Sequence, residues 1–269
     1  MSSPKPVRHI LSMSGGKDST ALALYMKDRV PGMEYVFMDT GKELPETYDY
    51  LRKIEAFLGK KIIMLNSDRD FDHWLQVYSG FLPSPRTRWC TRQLKIIPFE
   101  KYVGDETVYS YIGIRADEDR EGYISSKPNI IPRYPFKEDG LVHADILRIL
   151  EGSGLGLPPY YSWRTRSGCT FCFFQRKIEW IGLKENHPEK FEEAKRYEKV
   201  DPVTGQVYTW SQGETLSQLA ERSEEIKRNH EKSMKTLSKE KQGQTLFEIF
   251  RDVLDKESGD ESPCLVCDL

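Results

Sequence analysis

Six residues with phosphate-binding character, Ser14-Gly15-Gly16-Lys17-Asp18-Ser19, lie between a β-rich run and an apolar helical pattern. Two glycines at such a junction let the backbone turn tightly, with its N–H groups facing an anion. The start of the following helix adds partial positive charge, and Lys17 adds a full one. The spacing predicts a phosphate-binding loop; the alternative is a glycine-rich turn with a surface lysine. It is not a Walker A motif, because Leu11 and Asp18 occupy the places of that motif's first glycine and its Ser/Thr.

The cysteines form a second group with chemical potential. Cys169 and Cys172 are spaced so that both thiolates can reach one metal ion. The acidic tail 255–269 carries a further pair, Cys264 and Cys267, and two Cys-x-x-Cys pairs together are typical of structural zinc sites. Buried thiols or an exchangeable redox pair are the remaining interpretation.

Composition limits the class of protein. The chain has 269 residues, enough for one large domain or a core with an appendage. Its 40 basic and 42 acidic residues nearly balance, which excludes a uniformly basic nucleic-acid coat. We find no run of 18 apolar residues and no secretory signal, so we expect a cytoplasmic protein with no membrane span. In that reducing compartment the five cysteines favour metal or redox chemistry over disulfides.

Strand and helix patterns alternate along the first 115 residues. The predicted strands are residues 7–13, 34–39, 61–65 and 107–114. The predicted helices are residues 19–28, a helix after Pro45, residues 141–150, and two helices within 175–197 separated at Pro188. Strands separated by helices pair in parallel, so the fold class is α/β, an open and mostly parallel sheet with helices on both faces. Ligands of such sheets bind beyond the carboxyl ends of the strands.

The C-terminal part has a different pattern. Residues 212–241 are densely charged and predict one long surface helix. We therefore divide the chain into an α/β domain with the cysteine segments, 1–183, and a helical C-terminal region with the acidic tail, 184–269.

The loop at Ser14–Ser19 resembles the pyrophosphate-binding PP-loop of the adenine-nucleotide α-hydrolase superfamily, whose members cleave ATP between its α and β phosphates. Four ordered motifs resemble the phosphoadenosine-phosphosulfate (PAPS) reductase family within it. They are residues 37–47 (FMDTGKELPET), residues 90–95 (CTRQLK) with Pro98, Gly113-Ile114-Arg115 with Arg120, and Tyr160 with residues 168–172 (GCTFC).

Two departures from PAPS reductases favour ATP cleavage. Gly16 and Lys17 are intact here, whereas PAPS reductases look to carry a degraded PP-loop that lacks this Gly-Lys pair. The tail carries Cys264 and Cys267 in place of the reductases' Glu-Cys-Gly-type nucleophile. The chain is thereby most similar to the ATP pyrophosphatases of bacterial DNA phosphorothioation, the DndC and SspD types, which imply DNA as substrate and a cysteine desulfurase as sulfur donor. Alternatives are a TtcA-like tRNA thiolation enzyme, a PAPS reductase, or a nucleotide-binding regulatory subunit.

The resemblance implies a nucleotide site and three catalytic residues. Lys17, Asp18 and Arg115 are the expected catalytic residues, with Asp18 or Asp39 as the ligand of Mg²⁺. The alternatives are a surface ion pair of Arg115 with Asp117 or Asp119, and a turn role for Asp39. The expected nucleotide-binding residues are Met13, Ser14, Gly15, Gly16, Lys17, Asp18, Ser19, Met38, Asp39, Gly113 and Arg115.

The resemblance also adds Cys90 to the metal-binding cysteines. The expected ligands are Cys90, Cys169, Cys172 and Cys264, holding a [4Fe–4S] cluster, with Zn²⁺ as the alternative. Thr91 replaces a second cysteine found in related cluster-binding reductases, so the fourth ligand is a tail cysteine or absent.

Basic and aromatic residues are interleaved around these cysteines, which suits a nucleic-acid backbone and a splayed base. The alternative is that the aromatic side chains belong to the core and the cations offset thiolates or nucleotide phosphates. The basic residues are Arg86, Arg88, Arg92, Lys95, Lys101, Arg164, Arg166, Arg176 and Lys177. The aromatic ones are Trp89, Tyr160, Tyr161, Trp163, Phe171, Phe173 and Phe174.

Overall fold

The protein is built on a five-stranded sheet in which every neighbouring pair of strands is parallel. The computed structural model describes residues 7–119, 125–200, 205, 207–211 and 213–240. The strand order is β3-β2-β1-β4-β5. The strands are β1 (Arg8–Met13), β2 (Glu34–Asp39), β3 (Ile62–Asn66), β4 (Val108–Tyr111) and β5 (Ile130–Arg133). Because the chain moves from β1 to β2 on one side and returns to β4 on the other, the β1/β4 boundary is a topological switch point.

Helices connect these strands and extend the fold beyond them. Those before β5 are α1 (Lys17–Met26), α2 (Pro45–Leu58), α3 (Phe71–Val77), α4 (Trp89–Thr91) and α5 (Ile97–Val103), with a π-helical turn (Arg92–Ile96) between the last two. Those after β5 are α6 (Pro135–Glu138), α7 (His143–Ser153), a 3₁₀ turn (Pro159–Ser162), α8 (Lys177–Asn186), α9 (Pro188–Tyr197), α10 (Leu216–Glu221) and α11 (Ser223–Glu240). A two-stranded antiparallel hairpin, β6 (Lys199–Val200) and β7 (Val207–Tyr208), separates α9 from α10.

Alternate residues of the strands face two separate cores, because successive side chains of a strand point to opposite faces. Leu11 and Phe37 pack with α1, α2 and α7 on one face. Ile10 and Val36 pack with side chains of α5, α8, α9 and α10 on the other. The predicted α/β sheet with helices on both faces is confirmed.

The predicted elements differ from the structure in three places. Helix α1 begins at Lys17 and not at Ser19, because Gly16 is its N-cap residue. Strand β5 is not predicted from the sequence, because Pro132 interrupts its strand pattern. Proline is tolerated at this position because β5 is an edge strand. The single helix predicted over 212–241 is wrong: α10 ends at Glu221, the backbone of Arg222 leaves the helical conformation, and α11 begins at Ser223.

The C-terminal helices share a core with the sheet. Residue 183 lies inside α8, and Phe191 of α9 and Leu219 of α10 belong to the same buried cluster as Ile10 of β1. The division into 1–183 and 184–269 stays a prediction. Arg120 and the tail with Cys264 and Cys267 lie outside the described residues. No helix in the described part of the chain is long and apolar enough to cross a membrane.

Candidate functional site

The loop after β1 is held in a tight turn by its own hydroxyl groups. Gly15 has a φ of 71°, in the left-handed region that favours glycine. The Ser19 hydroxyl accepts from the Ser14 amide at 3.1 Å and lies 3.0 Å from the Ser14 hydroxyl. The Gly16 amide donates to that Ser14 hydroxyl at 3.3 Å. The N-terminus of α1 therefore lies at the carboxyl edge of the sheet, as an anion-binding turn requires.

Two cations converge on Asp18 in the first turn of α1. Lys17 Nζ lies 2.6 Å from Asp18 Oδ2, and Arg115 Nη1 lies 3.1 Å from Asp18 Oδ1. Burial alone would raise the pKa of Asp18, but Lys17 and Arg115 lower it well below its usual range. In the same way burial opposes the charge of Lys17, yet Asp18 raises the pKa of Lys17 above its ordinary value. The charged form of each of the three groups is therefore favoured, at the edge where ligands of such sheets bind.

Arg115 is almost completely buried, with 5% of its surface exposed. Its Nε donates to Asp117 Oδ1 at 2.9 Å, and Nη1 lies 2.9 Å from Glu118 Oε1. The ion pair with Asp117 that we considered as an alternative is present, but it is not on the surface. Arg115 joins the carboxyl end of β4 to the start of α1.

Gly113 permits this close approach between β4 and α1. A Cβ atom at position 113 would lie 3.2 Å from the carbonyl carbon and oxygen of Asp18 and 3.4 Å from the Ser19 amide nitrogen. Backbone atoms cannot rotate away as side chains do, so only glycine fits without a shift. The β1 and β4 loops thus meet at the switch point of the sheet.

Asp39 has the turn role that we considered as its alternative. Its Oδ1 accepts from the Gly41 amide at 2.8 Å and from the Tyr48 hydroxyl at 2.7 Å, and Asn66 Nδ2 lies 3.3 Å from Oδ2. Both carboxylates expected to bind Mg²⁺, Asp39 and Asp18, are thus fully engaged by protein groups. As placed they do not fit a divalent cation, and the described residues contain no group of three acidic, histidine or cysteine side chains suited to a metal ion.

A pocket at the carboxyl edge contains three of the expected nucleotide-binding residues, Met13, Ser14 and Met38. The other residues that line it were not predicted to bind nucleotide; they are Phe37, Glu43, Lys95, Ser167 and Gly168. The Ser167 hydroxyl lies 3.1 Å from the Ser14 hydroxyl, which links the segment before Cys169 to the loop after β1. Only the packed chain reveals this contact, because 153 residues separate the two serines.

Two tyrosines from the 3₁₀ turn fix the same loop from outside. The Tyr160 hydroxyl donates to the Gly15 carbonyl at 2.7 Å, and the Lys17 amide donates to the Tyr161 hydroxyl at 3.2 Å. The first turn of a helix leaves its amides without helical partners, so Tyr161 occupies a donor that a phosphate could also use.

The structure brings Cys90, Cys169 and Cys172 to one pocket, as the resemblance implied. Lys95, on the π-helical turn after Cys90, lines both this pocket and the one beside Ser14. The two pockets are therefore neighbours with a cationic side chain between them.

Cys169 is held by the loop that follows β2. Its Sγ lies 3.2 Å from Thr40 Oγ1 and donates to Glu43 Oε1 at 3.5 Å. Burial and then Glu43 raise the pKa of the Cys169 thiol well above its ordinary value, against the opposing effect of Lys95. Both effects favour the thiol form of Cys169 over the thiolate.

The donor set of the cysteine pocket suits a thiolate-bound metal, but the arrangement does not. Three cysteines are the soft ligands that iron–sulfur clusters and zinc take. As placed they do not form a metal-binding group among the residues the structure describes, and the raised pKa of Cys169 disfavours the thiolate that a metal would bind. The cluster and the zinc alternative, with Cys264 as fourth ligand, stay predictions.

Much of the basic and aromatic set around the cysteines proves to be structural. Trp89, Tyr160, Phe171, Phe173 and Phe174 are buried members of the core, as the alternative proposed. The same holds for several of the cations. Arg164 is 1% exposed and donates to the carbonyls of Gly168 and Cys169, at 3.0 and 2.8 Å. Three other cations form ion pairs with carboxylates: Arg176 with Glu179, Lys177 with Glu214 and Lys101 with Asp68.

Comparison with known proteins shows what this chain resembles in sequence and in fold. Residues 8–128 match the family model of the phosphoadenosine phosphosulfate reductase domain. A PAPS reductase from Candida auris superposes with a TM-score of 0.50 and 14% identity, covering 61% of this chain and 82% of that one; this likeness shows the fold. Residues 8–128 are thus similar to the PAPS reductase domain in sequence, and the chain is similar to a PAPS reductase in fold.

Two relatives in sequence are themselves without an assigned activity. The uncharacterized protein MJ0066 of Methanocaldococcus jannaschii is 29% identical over 202 residues, which are 70% of this chain and 40% of that protein. The uncharacterized nin region protein ORF290 of Escherichia phage lambda is 28% identical over 208 residues, 65% of this chain and 68% of that one. The chain therefore spans less than half the length of the first of these relatives.

Proposed function

We propose that this protein cleaves ATP between the α and β phosphates and uses the AMP group to activate a nucleic-acid oxygen for replacement by sulfur. The reaction we favour is phosphorothioate modification of DNA in the cytoplasm, with a cysteine desulfurase as sulfur donor. The observation that carries the proposal is the intact Gly16-Lys17 turn at the switch point, facing Arg115 across Asp18.

The charge arrangement suits a triphosphate. Asp18 is the counter-ion of Lys17 and Arg115 in the absence of nucleotide, and ATP phosphates carry the charge that would take over one or both cations. The Gly15 and Gly16 amides, the Ser14 and Ser19 hydroxyls and Lys17 would hold the departing pyrophosphate. Arg115 would clamp the α-phosphate, where charge accumulates on the equatorial oxygens during attack.

A divalent cation bound with ATP supplies further charge neutralisation. Release of Asp18 from its two cations is the change that would make its carboxylate available to Mg²⁺. Nothing else in the proposal depends on that ion.

The cysteine pocket is the proposed place of sulfur delivery. Cys90, Cys169 and Cys172 are separated from the nucleotide pocket by Lys95, so an activated oxygen and a sulfur carrier could meet there. We propose that these cysteines, with Cys264, bind a [4Fe–4S] cluster after Cys169 loses its proton and the thiolates move together around it; Zn²⁺ in a four-cysteine site with Cys267 is the alternative.

PAPS reduction is the second candidate, because residues 8–128 match the PAPS reductase domain. The two candidate reactions differ in whether they require Lys17. A sulfonucleotide has no β,γ-pyrophosphate, so its reduction would not need the Gly16-Lys17 pair that is present here.

The purified chain with ATP and Mg²⁺ should release pyrophosphate and AMP. Lys17→Ala should reduce the rate at least about tenfold without changing the fold, since removing one charged contact made only in the transition state costs at least about 1.4 kcal/mol. Lys53→Ala, which removes an exposed lysine of α2, is the matched control. ADP as product, or an undiminished Lys17→Ala variant, would contradict the proposal.

Two measurements test the sulfur chemistry. Mass spectrometry of dinucleotides and nucleosides from cells with and without the protein distinguishes phosphorothioate DNA from thiolated tRNA. Elemental analysis of anaerobically purified protein should give about four irons per chain, lost in Cys90→Ser. One equivalent of zinc that Cys90→Ser does not remove would contradict the cluster.

A further inference from the structure

We propose that the surface formed by Arg86, Arg88, Arg92 and Arg166, with the aromatic pair Phe81 and Tyr208, binds a single-stranded segment of nucleic acid beside the cysteine pocket. This inference rests on the proposed function for its choice of polymer, and it adds the strand form that is recognised and the residues that recognise it.

These four arginines differ from the other cations near the cysteines in their electrostatic surroundings. None of the four forms an ion pair with a residue that the structure describes. Within the part of the chain that the structure describes, their one side-chain hydrogen bond joins Arg88 Nε to the carbonyl of Pro85, 3.0 Å away. Their neighbours Lys101, Arg176 and Lys177 each face a carboxylate. Among the described residues no carboxylate therefore offsets the charge of these four, and an external anion could do so.

An aromatic ring joins the two chain segments that carry the arginines. The guanidinium carbon of Arg88 lies 5.1 Å from the centroid of the Phe174 ring, and that of Arg166 lies 5.3 Å from the same centroid. Two like charges are held near one ring, and cation–π attraction offsets part of their repulsion. Arg92 follows one turn later, since its amide donates to the Arg88 carbonyl at 3.2 Å. The row of cations is thereby fixed in place.

Exposed aromatic surface lies next to this row. Phe81 is 49% exposed, and its ring contacts that of Tyr208 with centroids 4.6 Å apart. The carbonyl of Phe81 accepts from Trp89 Nε1 at 2.9 Å, so Phe81 is tied to the residue that follows Arg88. An exposed ring beside unpaired arginines is the combination that binds single strands: cations follow the phosphates and a base stacks on the ring.

The aromatic pair favours a single strand over a duplex. Bases of a duplex already stack on one another, so a ring on the protein surface gains a partner only when a base is unpaired. The position of this surface agrees with the proposed chemistry, because Cys90 follows directly after Trp89 and lines the cysteine pocket together with Pro83. A strand held on this surface would pass the mouth of that pocket.

Fluorescence anisotropy with the full chain tests the proposal. The probes are a labelled 12-nucleotide oligothymidylate, the same length of oligouridylate, and a 12-base-pair DNA duplex, each titrated at several salt concentrations. We expect both single strands to bind at least about tenfold more tightly than the duplex. Preference for the DNA or the RNA strand would distinguish the source of the substrate, and either preference supports the surface.

Three variants localise the binding. Arg86→Gln/Arg166→Gln should lower the salt dependence of log K by about 1.4, since each phosphate contact with a single strand contributes about 0.7. Phe81→Leu keeps apolar volume but removes the ring, and should weaken binding at least about fivefold. Arg148→Gln on α7 removes an exposed arginine from the other face of the sheet. It should change neither the salt dependence of log K nor the strength of binding.

Some outcomes would overturn the inference. These are a duplex bound as tightly as the single strands, or an Arg86→Gln/Arg166→Gln variant that behaves like Arg148→Gln. Pyrophosphate release from ATP without nucleic acid is measured on the same variants and should be unchanged. A wild-type chain that binds single strands through this surface but releases no pyrophosphate would refute the proposed ATP cleavage and leave this inference standing. A wild-type chain that releases pyrophosphate but does not bind single strands through this surface would refute only the inference.

Discussion

At the scale of single residues, Glu43 is the side chain most closely coupled to the cysteine pocket. It is 6% exposed, accepts from the Thr40 hydroxyl at 2.9 Å and faces the Cys169 thiol. A buried carboxylate beside a thiol disfavours the thiolate, which is the form that attacks electrophiles and binds metals. The loop after β2 therefore controls when Cys169 can react.

We predict that Glu43→Gln makes Cys169 more reactive. Removal of the carboxylate charge lowers the pKa of the thiol toward its ordinary value, so alkylation by iodoacetamide at pH 8 should be at least about threefold faster. Peptide mass spectrometry gives the rate at Cys169 itself. Glu151→Gln, an exposed substitution at the end of α7, should leave the rate unchanged. Equal rates in wild type and Glu43→Gln would show that burial alone protects the thiol.

The sequence indicates some of these residues and conceals others. The turn at Ser14–Ser19 can be predicted because its function depends on neighbouring residues of one short segment. Glu43, Lys95 and Ser167 cannot be assigned a role in this way, since each acts through a contact with a distant part of the chain: 126 residues separate Glu43 from Cys169. The sequence groups Arg164 with the cations suited to a nucleic-acid backbone, because its carbonyl partners are brought to it only in the folded loop.

At the scale of elements, the contact between the end of β4 and the start of α1 depends on Gly113. We predict that Gly113→Ala raises the KM for ATP at least about fivefold, because the added methyl group would press on the Asp18 backbone and move Lys17. Gly152→Ala in α7 is the matched control, since a methyl group there meets no atom within 4 Å. Steady-state pyrophosphate release measures both variants. An unchanged KM in Gly113→Ala would mean that the two elements can separate without cost to binding.

A buried carboxylate fixes the start of α8. Glu179 is fully buried and accepts from the amide of Thr165 at 2.8 Å, its hydroxyl at 2.6 Å and the amide of Arg176 at 3.0 Å. Burial alone would raise the pKa of Glu179, but Arg176 and then Thr165 lower it below its ordinary value. Its ionised form therefore stabilises the folded protein.

We predict that this contribution is lost in acid. A carboxylate with a lowered pKa in the folded state stabilises above its unfolded pKa, and the benefit disappears as pH falls through the folded value. Glu179→Gln should lower the free energy of unfolding by about 3 kcal/mol at pH 7 and by less at pH 3, as measured by urea denaturation. The same loss at both pH values would show that shape and not charge is responsible.

The elements themselves were largely predictable. Strands β1 to β4 and the break between α8 and α9 at Pro188 follow from period-2 and period-3.6 patterns that a buried sheet and its helices impose. Strand β5 was missed because an edge strand pairs on one side only and tolerates Pro132. The separation of α10 from α11 depends on packing of Leu216 and Leu219 against the core, which periodicity does not reveal.

At the scale of the whole molecule, one core extends from the sheet to α10. Trp210 donates from Nε1 to the Ala194 carbonyl at 2.9 Å and packs on Phe171 and Trp180, with ring centroids 5.1 and 6.1 Å apart. Lys42 Nζ adds ion pairs to Asp72 at 2.9 Å and Glu193 at 2.8 Å. The C-terminal helices are thereby bound to the loop that holds Cys169.

We predict that a chain ending at residue 183 does not fold cooperatively. It would lack six buried side chains of the larger core, Phe191, Ala194, Trp210, Leu216, Leu219 and Ile226. Losing a single large apolar side chain from a core costs about 2–5 kcal/mol, so the sum exceeds the stability of an ordinary domain. Circular dichroism during urea denaturation is the measurement, with the full chain as control. A sharp transition in the shorter chain would support a separate domain at 1–183.

The contact between Gly16 and Ser167 limits how this protein can vary over evolutionary time. A Cβ atom at position 16 would lie 2.6 Å from the Ser167 hydroxyl and 3.1 Å from its Cβ. Alanine at 16 would therefore have to displace the Ser167 hydroxyl, which takes part in the series of hydroxyl contacts that runs through Ser14 to Ser19. The effect of a substitution at position 16 thus depends on which residue occupies position 167.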